Sequence, residues 1–280
     1  MKFGLRLVSV CLASLSLARA GAIDDAFHRL YNFDFAGSHR ILDPYIRDHP
    51  ADPLGHSTRA ATYLFSELDR LQILAGEFFI DDKKISGDDV LEPDPVVREK
   101  FFASIRMAQM AADARLAESP NDSIALFSFC LTEGMRTDYT AFIEKKQLRS
   151  LASARRAHNY AVDLIRRDPA FVDARLTTGL TEYLVGSLPF FIRWFVRFDE
   201  VKGSKQQAAA NLELVAREGR YLGPFARILL SILYLREKKP ELSIRLLEGL
   251  VRDFPENSLL RRELAKLQMK YPGPQLRPAR

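Results

Sequence analysis

The side chains that could bind a metal in this chain lack the spacing of a metal site. Residues 81–92, DDKKISGDDVLE, begin with Asp and end with Glu as a calcium-binding loop does. Lys83 and Ile85 stand where such a loop needs oxygen ligands. The five histidines include no pair with the i, i+4 spacing that two zinc ligands on one helix need; they are His28, His39, His49, His56 and His158. The sequence therefore predicts no metal and no other cofactor.

Nucleophilic chemistry also lacks a signature. The chain contains no HExxH, GxSxG, GxxxxGK[ST] or CxxC motif. Cys130 lies among Phe127, Phe129 and Leu131, which is typical of a small core residue and not of a reactive thiol. We therefore expect a protein that is not an enzyme.

Two basic stretches could contact an anionic partner. Residues 145–156, KKQLRSLASARR, contain no aromatic residue, so base stacking and nucleic-acid binding are not predicted and a solvated helix face is the default. Residues 190–198, FFIRWFVRF, interleave arginines and aromatics. Arg193 and Arg197 are four residues apart on one predicted helix face, with Trp194 beside them. Either the aromatics are core and the arginines solvated, or this helix lies against lipid headgroups or a protein partner.

The beginning of the chain predicts export. Residues 1–20 combine Lys2 and Arg6, a short apolar run and Ala18-Arg19-Ala20, which fits a signal peptide with a small-x-small cleavage site. An uncleaved anchor is disfavoured because the apolar run is too short to span a bilayer, and a lipoprotein signal at Cys11 is the weaker alternative. We expect the periplasm or cell envelope of a bacterium.

Charge is unevenly distributed along the chain. Without residues 1–20 the formal charge falls from +5 to +2, so the basic composition does not argue for nucleic acid. Residues 21–100 carry a net charge of −7, and residues 101–280 carry +9. The pattern is typical of solvated helix faces, or of acidic and basic ends that orient a partner or face an anionic membrane.

The elements that must position these residues are helices. Apolar residues recur at three- and four-residue steps, and Pro ends one amphipathic segment after another, at Pro50, Pro120, Pro169 and Pro255. Asp52 and Asn121 follow two of these prolines as candidate N-caps. Recurrence of prolines and capping residues at the segment boundaries favours a repeat of helix pairs over a generic helical bundle.

The clearest unit is 224–257, PFARILLSILYLREKKPELSIRLLEGLVRDFPEN, which resembles a tetratricopeptide repeat in length and pattern. Small and large apolar residues alternate where two helices would cross: Leu230, Ser231, Ser243, Leu247 and Leu250. The resemblance implies an all-α, TPR-like helical-repeat α-solenoid of about five to six helix pairs, with helix 257–270 as a C-terminal cap. We expect a single domain over 21–270, interrupted by a loop insertion at 77–95 and followed by a disordered tail, 271–280.

Residues 179–260 also loosely resemble the C-terminal part of the tetratricopeptide repeat protein 39 and inclusion-body clearance family. The shared segments are GLTEYLVGSLPFF, FDEVKGSKQQAAANLELVAREG, PFARILLSILYL and LLEGLVRDFPEN. This resemblance implies an all-α protein with a handling or adaptor role and without catalytic residues. The segment 179–198 is interrupted by Glu182, Arg193 and Arg197, so it is not predicted to span a membrane.

The repeat register predicts a concave groove lined by apolar residues. The positions that line such grooves in tetratricopeptide arrays are here Phe127, Leu131, Leu176, Leu180, Tyr183, Ile228 and Ile232. Either another segment closes this groove, with helix 190–198 as the expected lid, or the groove holds an apolar ligand. The sequence thus predicts an exported scaffold or adaptor that binds a protein partner. A carrier or sensor of an apolar small molecule or lipid is the alternative.

Overall fold

The computed structural model describes residues 21–74, 91–187 and 203–272. Every regular element in these residues is helical, which confirms the predicted all-α class. The α-helices are α1 (21–31), α2 (Phe35–Asp48), α3 (Pro53–Arg70), α4 (Pro95–Glu118), α5 (Ser123–Asp138), α6 (Gln147–Arg167), α7 (Arg175–Ser187), α8 (Lys205–Glu218), α9 (Gly223–Arg236), α10 (Pro240–Asp253) and α11 (Ser258–Lys270). A π-helix, Tyr139–Ile143, follows α5, and a 3₁₀ turn, Val172–Ala174, precedes α7.

Aspartate caps define where several helices begin. The side chain of Asp52 accepts a hydrogen bond from the Leu54 N–H at 3.3 Å, as predicted from the sequence. The prediction of Asn121 as a cap is wrong: Asp122 caps α5 by accepting from the Ala125 N–H at 2.8 Å. The Asn121 side chain instead accepts a hydrogen bond from Arg167 at 2.7 Å. The cap lies one residue later because Asp122 directly precedes the first helical residue.

From α2 to α11, each helix packs against the next one in the chain, and α3 also packs against α5. The residues predicted at the helix crossing in 224–257 are buried: Leu230, Ser231, Ser243, Leu247 and Leu250. Small and apolar residues on α2, α4 and α6 are buried likewise: Ser38, Leu42, Ala108, Ala112, Ala157, Ala161 and Leu164. Gly179 allows α7 and α8 to approach closely, because a Cβ atom there would lie 3.1 Å from the Asn211 Cβ. Side-chain size at these crossings therefore sets the spacing of the helices.

Helix α1, at the start of the described chain, is held by loops near its end. The Tyr31 hydroxyl donates a hydrogen bond to the Tyr221 carbonyl at 2.8 Å. The Asn257 side chain donates to the Tyr31 carbonyl, also at 2.8 Å, and Arg220 forms two hydrogen bonds with Asp24. The loops before α9 and α11 thus hold the first described helix through contacts that are about two hundred residues apart in sequence.

A buried carboxylate fixes the start of α4. The Glu67 side chain is 1% exposed, pairs with both ends of the Arg70 guanidinium fork and accepts the Asp94 N–H at 2.7 Å. Arg70 also donates to the Glu92 carbonyl at 2.6 Å. Asp94 in turn caps α4 through Val96 and Val97. This chain of contacts holds the first turns of α4, where two residues of the candidate site lie.

Several sequence predictions lie outside the described residues: the signal peptide 1–20, helix 190–198, nearly all of the tail 271–280 and most of the insertion 77–95. The predicted C-terminal helix 257–270 is observed as Ser258–Lys270. Among the helices that the structure describes, none is both long enough and apolar enough to cross a membrane.

Candidate functional site

The predicted groove residues divide into two groups. Phe127, Leu176 and Tyr183 are buried, with exposed fractions between 0 and 8%. The other four are half-buried: Leu131, Leu180, Ile228 and Ile232. Arg193, Trp194 and Arg197 lie outside the described residues. The buried three are core residues in this structure and are not available to a ligand.

The groove around Phe127 is filled by the chain itself. The Phe127 ring stacks on Tyr221 at 5.8 Å and lies 4.8 Å from Phe171. Tyr221 also contacts Phe27 of α1, with ring centroids 5.5 Å apart. The loop before α9, together with α1, therefore covers this part of the groove, whereas the sequence pointed to helix 190–198 as the lid.

A buried aspartate holds that loop in place. Asp173 is 4% exposed and accepts the backbone N–H groups of Arg220, Tyr221 and Leu222 at 2.7–3.0 Å. Burial raises the pKa of the Asp173 carboxyl, although these three hydrogen bonds act in the opposite direction. The arrangement orders backbone and offers no free acid–base group.

A second region combines a cavity with concentrated charge. An open cavity of about 320 Å³ lies between α4, the end of α5 and α6. We call it the basic cavity. Its lining residues are Arg98, Phe102, Arg136, Thr140, Glu144, Lys146, Arg149 and Ser153. Four cations and one carboxylate give it a net charge of +3.

The π-helix shapes one wall of the basic cavity. It accommodates one extra residue per turn, and the Glu144 N–H donates to the Tyr139 carbonyl at 3.0 Å. Lys145 then has a positive φ of 56°, and the Lys146 N–H donates to the Thr140 carbonyl at 2.9 Å. A non-glycine residue in this left-handed region is strained by about 1 kcal/mol or more. The turn thus places Thr140, Glu144 and Lys146 on the same cavity.

Aromatic rings support the arginines of the basic cavity. The Arg98 guanidinium carbon lies 5.1 Å from the centroid of Phe102, and that of Arg136 lies 5.9 Å away. Phe102 packs edge-on against Tyr139, whose pKa burial raises to about 12. The Tyr139 hydroxyl therefore stays neutral, and the charge of the cavity is set by its cations and Glu144.

The acidic groups near the basic cavity neutralise only part of its charge. Glu144 contacts Arg98 at 3.5 Å and Lys146 at 3.3 Å. Glu133, on α5, is buried and pairs with Arg156 at 2.8 Å, while Gln109 donates to its other oxygen. Arg156 lies closer to Glu133 than Arg136 does, at 2.8 against 3.9 Å, so Glu133 offsets only part of the charge of the cavity arginines.

Arg136 has an unsatisfied donor at this site. Its Nε atom is buried and has no hydrogen-bond acceptor, because the closest Glu133 oxygen lies 3.9 Å away. Its Nη2 atom makes one long hydrogen bond, 3.4 Å, to Gln109. Arg149 is exposed and forms no ion pair within the part of the chain that the structure describes. These two arginines are therefore open to an added anion.

Sequence reasoning did not identify the basic cavity. The run 145–156 was interpreted as a solvated face, and Arg98 and Arg136 lie outside it in sequence. The net charge of +9 over residues 101–280 was the available signal. That signal does not locate a site, because the clustering depends on how α4 and α6 flank the end of α5.

Potential metal ligands and the one cysteine of the described residues have the following surroundings. They contain no cluster of three His, Cys, Asp or Glu side chains that could hold a metal ion. Cys130 is 2% exposed, and burial raises the pKa of its thiol to about 11. The Cys130 sulfur lies 3.1 Å from the Thr177 hydroxyl and is a core group, as predicted.

No protein-family model, no curated protein and no solved structure matches this chain. The site geometry and the sequence therefore carry the functional argument.

Proposed function

We propose that this protein is an exported, non-enzymatic scaffold of TPR-like helical repeats that binds a protein partner in the bacterial cell envelope. The observation that carries the proposal is a set of exposed apolar residues on α4 and α6, the two helices that flank the basic cavity. On α4, Met107 is 45% exposed and Met110 is 64% exposed. On α6, Leu148 is 85% exposed and Leu151 is 38% exposed. We call these four residues the α4–α6 surface.

Exposed Met and Leu side chains beside charged residues are typical of protein-binding surfaces. Met107 and Met110 are three residues apart on α4, as are Leu148 and Leu151 on α6, so each pair occupies one helix face. Of the four cations of the basic cavity, Arg98 and Arg149 lie on these two helices, whereas Arg136 lies on α5 and Lys146 in the turn before α6. A partner with an acidic and apolar surface would complement this combination.

The repeated pattern of helices supports the TPR-like part of the proposal. Consecutive helices pack together, boundaries fall at prolines, and small residues lie where helices cross. Burial of Phe127, Leu176 and Tyr183 weighs against the alternative of an apolar carrier, because a ligand would have to displace core side chains.

Site-specific photocrosslinking tests the scaffold proposal. A benzophenone amino acid at position 110 or 148 is expected to crosslink one discrete protein in the host cell. The same group at position 238, an exposed lysine beyond α9, should not. With the benzophenone group at position 107 instead, Met110→Asp combined with Leu148→Asp should reduce crosslinking about tenfold. The thermal unfolding midpoint should stay unchanged.

If all three positions give the same weak, heterogeneous products, the α4–α6 surface does not bind a specific partner and the proposal fails. Export is tested separately by the intact mass of the protein from fractionated cells, which should correspond to a chain that begins at Gly21.

A further inference from the structure

We infer that the basic cavity is a binding site for a phosphate group. This site goes beyond the scaffold proposal and requires no protein partner. Arg98, Arg136, Lys146 and Arg149 line one cavity, and Glu144 is the only acidic residue among its lining groups. A cluster of like charges is costly unless solvent or a counter-charge compensates it, so the cavity favours an anion.

The charge pattern favours an anion with more than one negative charge. Glu144 contacts Arg98 and Lys146, which reduces the field at those two residues. Arg136 and Arg149 have no hydrogen-bonded carboxylate in the described chain. After Glu144 is counted, the lining keeps a charge of +3, which a phosphate dianion or a pyrophosphate would largely neutralise.

The donors fit the chemistry of a phosphoryl group. Arginine presents a planar fork of N–H donors that matches two oxygens of one phosphate. Phe102 supports the guanidinium groups of Arg98 and Arg136 through ring contacts of 5.1 and 5.9 Å, which limits their rotamer freedom. Thr140 and Ser153 add two short, uncharged side chains with hydroxyl donors to the same lining.

Arg136 is incompletely hydrogen-bonded: its Nε has no acceptor, its bond to Gln109 is long at 3.4 Å, and its side chain is 30% exposed. Buried N–H groups nearly always have an acceptor, and leaving one unpaired costs about 1–3 kcal/mol. Glu133 does not meet this need because its nearest oxygen lies 3.9 Å from the Arg136 Nε, too far for a hydrogen bond. The volume of about 320 Å³ accommodates pyrophosphate or a phosphorylated headgroup.

Isothermal titration calorimetry of the chain from residue 21 to 280 tests this site with sodium pyrophosphate as the probe. We expect one site per chain with a Kd below about 1 mM that weakens as NaCl is raised. Arg149→Gln and Arg136→Gln should each weaken binding about tenfold, since each removes a charged donor. Arg106→Gln is the matched control, because Arg106 is an exposed arginine on α4 outside the cavity lining.

Arg149→Gln is the decisive variant because Arg149 is exposed, so its replacement leaves the fold intact; thermal unfolding checks this for both variants. Equal affinity in Arg149→Gln, Arg136→Gln and Arg106→Gln would show nonspecific charge attraction and overturn the assignment. No heat of binding with pyrophosphate, together with no binding to the vesicles described next, would also overturn it.

A second experiment, with lipid vesicles, distinguishes a lipid headgroup from a free phosphate compound as the ligand. Sedimentation with phosphatidylcholine vesicles that contain or lack phosphatidylglycerol measures lipid headgroup binding. Binding to the anionic vesicles alone, weakened by Arg149→Gln but not by Arg106→Gln, supports the site with a lipid headgroup as its ligand. Binding of pyrophosphate alone supports a free phosphate compound. Binding of a hexaglutamate peptide without either phosphate probe would replace the assignment with a carboxylate site.

Discussion

Replacement of Asp173 tests whether one buried carboxylate organises the loop before α9. Its Oδ1 accepts the N–H groups of Tyr221 and Leu222 at 2.9 and 2.7 Å, and its Oδ2 accepts that of Arg220 at 3.0 Å. In Asp173→Ala, two buried N–H groups and one partly buried group lose their acceptor. Each buried donor left unpaired costs about 1–3 kcal/mol, offset in part by the removal of a buried carboxylate. We expect the free energy of unfolding to fall by about 2–5 kcal/mol.

The conservative variant Asp173→Asn provides a graded result. The asparagine side-chain oxygen can keep the two hydrogen bonds from the Tyr221 and Leu222 N–H groups. Its NH₂ group would face the Arg220 N–H, and because both groups are donors that hydrogen bond is lost. The expected loss is therefore smaller, about 1–2 kcal/mol. Asp25→Ala is the matched control, since Asp25 is exposed on α1, and it should change stability by less than about 0.5 kcal/mol.

Urea unfolding followed by far-UV circular dichroism measures these three variants against the wild type. Hydrogen exchange should also become faster in α1, because the Tyr221 carbonyl in this loop accepts the Tyr31 hydroxyl. An Asp173→Ala protein as stable as Asp25→Ala would refute the reasoning. It would mean that water or a shifted loop satisfies the three N–H groups at no cost.

Four further predictions concern the packing and ionisation of single residues. Gly179→Val should lower the free energy of unfolding in urea by about 1–3 kcal/mol, because a Cβ there already lies 3.1 Å from the Asn211 Cβ. Gly134→Ala should raise it by about 0.5–1 kcal/mol, since a Cβ at Gly134 meets nothing within 4 Å. Tyr31→Phe removes the 2.8 Å hydrogen bond to the Tyr221 carbonyl and should cost about 1–2 kcal/mol, with faster hydrogen exchange over 21–31. Burial raises the pKa of Asp138 from 3.8 to about 7, so Asp138→Asn should gain stability relative to wild type on going from about pH 5 to pH 8, by about 2 kcal/mol.

The sign of the Asp138 effect follows from proton binding. The folded protein keeps a proton that the unfolded chain releases near pH 3.8, so this group's contribution to stability is full below that pH. The contribution is lost as the pH rises towards and through about 7, whereas an asparagine has no such dependence. If Asp138→Asn and wild type keep a constant stability difference between these pH values, the carboxyl titrates normally. For the glycines, equal effects of Gly179→Val and Gly134→Ala would contradict the close approach of α7 and α8.

The sequence determined the helical class and the ends of four helices, α2, α4, α6 and α10, each of which ends two residues before a proline named as a boundary. Proline at the helix boundaries and the Asp52 cap act within a few residues, so local chemistry was sufficient to place them. The small residues Ser231 and Ser243 were predicted at a helix crossing from the repeat pattern, and both are buried. Asn121 shows the limit of this reasoning, since two neighbouring capping residues differ only in which one directly precedes the helix.

Tertiary structure alone decided where the charge of residues 101–280 collects and what covers the apolar groove. Arg98 and Arg149 come together because α4 and α6 both flank the end of α5, and a π-helix turns Lys146 towards the same cavity. Likewise, α1 and the loop before α9 meet over Phe127, although Tyr31 and Tyr221 are far apart in the chain. Helical periodicity records which side of a helix is apolar, but it carries no information about which distant segment that side will meet.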